Sequence, residues 1–170
     1  MSTLSEQRAA ILAAMEAVPG IGQVHSRERY STDENLLRQF YMYSPPTGSA
    51  TDAMTDPHVR GWWLRRSGTQ EWQANTARTV NLTTWQIQGF LALDDAASSE
   101  LILDDLIERL RSAMRTDLTF GGIFSPGPVV VTGEEDNRNT GVQVIENSPK
   151  LFAGVLCHST QLQLTTWSHL

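Results

Sequence analysis

Trp85-Gln86-Ile87-Gln88-Gly89-Phe90-Leu91-Ala92-Leu93 runs straight into the segment Asp94 to Arg115, and this stretch decides the fold class. The odd positions 85, 87, 91 and 93 carry Trp, Ile, Leu and Leu. Period-two alternation places that set on one face of a sheet. Beyond it, Leu103, Leu106, Ile107, Leu110, Ala113 and Met114 recur at helical spacing and form a single apolar stripe. Asp94, Asp95, Glu100, Asp104, Asp105 and Glu108 fill the first part of this helix and Arg109, Arg111 and Arg115 the end, an order that complements the macrodipole. A strand feeding a helix predicts an α+β domain: a mixed, largely antiparallel sheet flanked by helices.

Upstream, Thr3-x-x-Glu6 is a capping box, and Leu4, Ile11, Leu12, Met15 and Val18 continue a helix that Pro19-Gly20 stops. A short strand is expected over Gln23 to Tyr30. Ser31-x-x-Glu34 is a second capping-box pattern, leading into a helix that ends near Tyr43 because Pro45-Pro46 cannot continue it. Residues 44–58 and 67–77 are polar and rich in turn formers, and both read as long loops. Between them Gly61 to Arg66 reads as a strand. Residues 79–93 are strand-like, but the alternation changes phase: Val80 and Leu82 are even, Trp85 and Ile87 odd. A bulge near Thr83-Thr84 is the expected reconciliation.

Downstream, Pro128 to Val131 and Val142 to Ile145 read as two strands joined by an acidic connection, and Phe152 to Trp167 as a last strand. Its even positions Leu156, His158, Thr160, Leu162 and Leu164 define a mostly apolar face. No repeat or linker divides the 170 residues, so one domain is expected.

Composition narrows the function classes. A net charge of −6 lowers the expectation of binding to duplex phosphates, where cations supply most of the affinity. Twelve Arg stand against one Lys, Lys150; this suits bidentate pairing at protein interfaces, and coding bias explains it equally well. No apolar run reaches the ~20 residues of a membrane span. Met1 to Arg8 lacks the pattern of a secretory signal, so the product is expected to stay where it is made.

The residues with chemical potential are few. Cys157 is the single cysteine, which excludes an internal disulfide, and its apolar surroundings read as structural. His25, His58, His158 and His169 show no ligand spacing, and His158 reads as a hydrogen-bonded core residue. Asp94-Asp95 and Asp104-Asp105 are adjacent pairs whose side chains diverge by ~100° on a helix, so neither pair forms a dyad. Asp94 or Asp95 reads as a helix N-cap. No phosphate-binding loop or nucleophile elbow is present.

Four segments carry a family resemblance in their order along the chain: Glu28 to Asp33, Gly61 to Arg66, Gln88 to Glu100, and Phe152 to His158 running into the last strand. Together they resemble the tail terminator, or tail-completion, proteins of long-tailed bacteriophages and prophages. Residues 44–57 and 67–77 have no counterpart in it. The resemblance implies a structural virion protein without enzymatic activity, metal or cofactor. It implies a homo-oligomeric ring, typically a hexamer, at the head-proximal end of the tail. Such a ring ends polymerisation of the tail tube protein and offers the docking surface for head–tail connector proteins. DNA passes through its lumen without specific binding, no membrane is involved, and assembly takes place in the host cytoplasm.

Candidate oligomer or partner contacts are Arg60, Arg65, Arg66 and Arg78, the acidic connection residues Glu134, Glu135, Asp136 and Arg138, and the two polar excursions. Two other readings stay open. One is a head-completion or neck adaptor between portal and tail. The other is a small ligand-binding or enzymatic α+β domain using Cys157 and His158, which is disfavoured because strand neighbours point to opposite faces.

Overall fold

The computed structural model describes residues 2–48, 50–126 and 141–169, without the side chains of residues 74 and 75. Its elements in order are α1 (Leu4–Glu16), β1 (Gln23–His25), α2 (Glu34–Phe40), β2 (Met42–Tyr43), β3 (His58–Asn75), β4 (Arg78–Ala92), α3 (Ser99–Thr116), β5 (Gly141–Phe152) and β6 (Val155–His169). The strands order as β1-β3-β4-β6-β5, with β2 paired to the start of β3. Among the described strands only β1 runs parallel to its neighbour. The fold is therefore α+β, with a largely antiparallel sheet, as the sequence predicts.

The alternating stretch at Trp85 occupies the middle of this sheet, and its two faces carry separate clusters. Trp62, Leu64, Trp85, Ile87, Leu91, Leu162, Leu164 and Val142 face α1 and α3. The stripe read from sequence is what α3 buries: Leu103, Leu106, Ile107, Leu110 and Met114. Gly89 lies opposite Trp62, and a Cβ there would fall 2.3 Å from the indole. Glycine thus lets the largest core side chain lie across the neighbouring strand. On the second face Val59, Trp63, Phe90 and Cys157 pack with Tyr41, under Leu37 and Phe40 of α2. Phe90 stacks on Phe152 at 4.0 Å, and Arg38 of α2 donates to the Ala153 carbonyl in the β5–β6 turn at 2.9 Å. α2 covers only one end of this face.

Several local expectations need correction. The helix over residues 34–40 is capped by Asp33, whose carboxylate accepts from the Asn35 and Leu36 N–H groups. Ser31 instead accepts from the Asp33 N–H, one turn earlier. α2 ends at Phe40 because Met42 and Tyr43 pair with Val59 and His58. The first strand stops at His25. Asp94 caps a turn ahead of α3, accepting from the Ala97 N–H, while the N-cap itself is Ser98 in a left-handed conformation (φ 55°).

The largest correction concerns residues 67–77. They do not form a loop; β3 continues through Asn75 in register with β4. Strands are read from apolar alternation, and every side chain from Arg65 to Gln73 is exposed, so the marker is missing although the backbone pairing continues, with shifts between Arg66 and Gly68 and between Gln73 and Asn75. The irregularity anticipated at Thr83-Thr84 falls at that row but on the partner strand. Arg66 pairs with Trp85 and Gly68 with Thr84, leaving Ser67 extra, whereas β4 keeps unbroken register with β6. The expected strand 128–131 and connection 133–140 lie outside the described residues. Among the described residues, no helix is long and apolar enough to cross a membrane.

Candidate interaction surfaces

Antiparallel register sets the second sheet face in rows. Beyond the part under α2 come Trp63–Gln88–Gln161–Glu146, then Arg65–Gln86–Gln163–Gln143, then Gly68–Thr84–Thr165–Gly141, then Gln70–Leu82–Trp167 and Trp72–Val80–His169. Amides and hydroxyls occupy the middle rows. Gln88 donates to the Ser159 hydroxyl at 2.7 Å, and Arg65 donates to the Gln86 side-chain oxygen at 2.6 Å. The last rows turn aromatic. Trp72 and Trp167 meet edge to face with centroids 5.6 Å apart. With Gln70, Leu82, Thr84, Gln163 and Thr165 they line a groove of about 550 Å³. Among the described residues the buried Trp167 indole N–H has no hydrogen-bond partner, although buried donors are nearly always satisfied.

The opposite end of the sheet presents aliphatic side chains on the first face. Leu151 pairs with Leu156 across β5 and β6, and the Leu93 N–H donates to the Leu156 carbonyl at 3.0 Å. Leu93 and Leu101 line one shallow cavity of about 340 Å³ with Asp95, Glu100, Ser99 and His158. All four leucines are exposed, Leu101 by 68 % and Leu151 by 74 %. Asp94, Asp95, Glu100 and Asp104 are exposed around them. His158 behaves as its position suggests: its Nε2 lies 2.9 Å from the Ser99 hydroxyl, which also accepts from the Asp94 N–H. This pins the start of α3 to β6. Cys157 points to the other face, fully buried, where desolvation pushes its thiol up to about 11. No direct Cys–His pair forms.

The arginines singled out in the sequence part company. Arg60 is not at the surface. Its side chain is 1 % exposed and forms a two-pronged pair with Asp52, at 2.8 and 3.1 Å. It also donates to the Gly20 carbonyl at 2.9 Å and from Nε to His58 Nε2 at 3.0 Å. A guanidinium so committed cannot serve as a contact residue. Burial works against the charged form of Asp52, but hydrogen bonds from Arg60 and the Met54 N–H outweigh it and hold the carboxyl below its ordinary range. His58 accepts from Arg60 and bonds to the Asp56 carbonyl at 2.7 Å, so it is the neutral tautomer with its proton on Nδ1. Burial keeps its pKa below the ordinary value. The segment over residues 44–57 thus ends in a buried network, although ten of its thirteen described residues are exposed.

No family model matches the chain, and neither does any curated protein.

Arg65 lies half exposed over the Trp63 ring, with Glu28 at 3.5 Å. Arg66 is exposed on the first face and Arg78 on the second, beside the Trp72–Trp167 groove in the ladder order. Glu134, Glu135, Asp136 and Arg138 lie outside the described residues. Sequence reading missed Trp72, Leu82 and Trp167, which come from three strands and meet only in register. It also missed the four exposed leucines: Leu93 and Leu156 read there as core-facing strand positions, and Leu101 and Leu151 carry no reading. Among the described residues no cluster of three His, Cys, Asp or Glu side chains is placed to hold a metal ion.

Proposed function

We propose that this chain is the subunit of an oligomeric ring that caps the head-proximal end of a bacteriophage tail tube, ending its polymerisation and providing the docking surface for the head connector. The observation that carries the reading is the outer edge of β3. From Leu64 to Gln73 it has no partner strand among the described residues, a span of about 30 Å at ~3.3 Å per residue. Proteins that remain monomeric shorten or cover such edges. A subunit that repeats one heterologous contact around an axis has a use for them, and closure of that rotation gives a ring. The Ser67 irregularity and the Arg65-Arg66 pair interrupt the edge, which disfavours indiscriminate pairing and leaves selective pairing available.

The segment order that resembles tail terminators supports this particular assembly. An acidic chain whose exposed sheet face is rich in Gln and Thr also suits the passage of DNA, since few phosphates would be held along it. The test is to add the purified protein to its cognate tail tube protein during polymerisation. The expected result is arrested elongation with ring-shaped density at one tube end in negative-stain images. Tubes of unrestricted length with bare ends would refute the proposal.

A further inference from the structure

We infer that successive copies of this chain join head to tail, with the exposed leucine corner of one copy seated in the Trp72–Trp167 groove of the next. This contact presupposes the assembly of copies proposed above and names the two surfaces that make it. Both surfaces offer apolar side chains with opposite charges near them, and in the groove the apolar ones stand among Gln70, Thr84, Gln163 and Thr165. The groove has Trp72, Leu82 and Trp167 on its floor and walls, with Arg65 and Arg78 exposed on the same sheet face to either side. The corner has Leu93, Leu101, Leu151 and Leu156 at its centre, with Asp94, Asp95, Glu100 and Asp104 exposed around it.

One copy cannot satisfy both of its own surfaces. β6 carries Leu156 near its start and Trp167 near its end. Eleven residues of strand separate them by about 36 Å. The two surfaces also lie on opposite faces of the sheet. A contact between them is therefore heterologous, the type that builds rings or filaments rather than isolated two-fold dimers. Within it, Trp72 has the character of an anchor: a large amphipathic ring, 41 % exposed, held against a second indole. The leucines alone are too small a patch to hold two copies, since a stable interface needs about 1,000 Å². The acidic rim and the β3 edge supply the rest of the area and set the orientation. Complementary rim charge acts mainly on selectivity and association rate.

Disulfide trapping between single-cysteine variants tests the contact. Gln70 and Glu100 are both exposed and border the two surfaces, so Gln70→Cys and Glu100→Cys keep Trp72 and the leucines in place, and the buried Cys157 does not compete. Under mild oxidation the two variants are expected to cross-link when mixed, and a chain carrying both substitutions is expected to give a ladder of covalent oligomers. Charge reversal gives an independent readout. Arg78→Glu and Asp104→Arg should each weaken self-association about tenfold, and mixing the two should favour pairs in which the reversed charges face each other. If either single-cysteine variant cross-links to itself and not to the other, the contact is two-fold and the head-to-tail inference is wrong. Absence of any cross-link while the wild-type chain forms oligomers by light scattering also overturns the inference, but leaves the ring reading standing. A wild-type chain that stays monomeric both alone and on tail tubes overturns both.

Discussion

Removing the carboxylate of Asp52 should unfold this protein more readily than any surface substitution, because of what it leaves behind. Arg60 is 1 % exposed, and its partner in the two-pronged pair is 11 % exposed. After Asp52→Ala, the guanidinium retains the Gly20 carbonyl, His58 Nε2 and the Tyr43 ring, whose centroid is 5.0 Å away. None of these carries negative charge. Stranding a buried cation in this way costs about 3–5 kcal/mol. For a chain of this length each kcal/mol moves the melting midpoint by ~2–4 °C, so the midpoint should fall by about 10 °C. Urea titration followed by circular dichroism measures the free energy directly, and an unchanged slope would confirm that compactness is preserved.

The loss belongs to the stranded charge rather than to the net value of the pair, and the double variant separates the two. Arg60→Met combined with Asp52→Ala removes the charge and the acceptor together, so it should recover much of the stability lost by Asp52→Ala alone. Asp52→Asn, which keeps an acceptor of similar shape, should lie between. The reasoning fails if Asp52→Ala costs less than about 1 kcal/mol, the range of an exposed ion pair. Residues 44–57 would then not be holding Arg60 as the geometry requires.

Acid should weaken the fold before the carboxylates titrate. Burial, partly opposed in each case by a hydrogen bond to a backbone carbonyl, holds His58 and His25 below their ordinary 6.5. The unfolded chain therefore takes up protons first, so this stability is complete above 6.5 and declines as pH falls from there through the lower folded values. The urea midpoint should drop across that interval, and a flat profile would contradict the neutral His58 tautomer. Gly89→Ala should cost about 1–3 kcal/mol by forcing a methyl into the Trp62 ring, and Trp62→Leu in the same chain should relieve part of it; equal stability of Gly89→Ala and wild type in a thermal melt would show that the indole has room to move. Cys157, buried and with its thiol pushed up to about 11, should resist a thiol-specific chromogenic reagent in native buffer and react fully in denaturant; rapid native labelling would mean that the α2 side of the sheet opens.

The unit from Trp85 to Arg115 was legible because each half has one buried face, and burial writes its period into the sequence. Arg60 carried a readable signal of the same kind. It stands in phase with Trp62 and Leu64, on the side that faces the core, and an arginine in that position must find an acid. Its general preference for the surface was the wrong guide. The partner was not legible. Asp52 lies in a segment without periodicity, and only the closed chain brings it to 2.8 Å.

The groove had one trace in the sequence, the change of phase between Val80-x-Leu82 and Trp85-x-Ile87. Placing an extra residue in β4 would have returned Val80 and Leu82 to the same face as Trp85. Unbroken pairing of Val80 with His169 and Leu82 with Trp167 rules that out. The apolar residues change faces because the sheet has a second apolar cluster of its own, beyond the reach of α2. A phase change in a strand thus has two physical meanings: an extra residue, or a strand with apolar neighbours on both sides at different points along its length. The composition of the partner strand separates them. Here Trp72, three residues from the end of β3 and, among the described residues, with no helix above it, points to the second meaning.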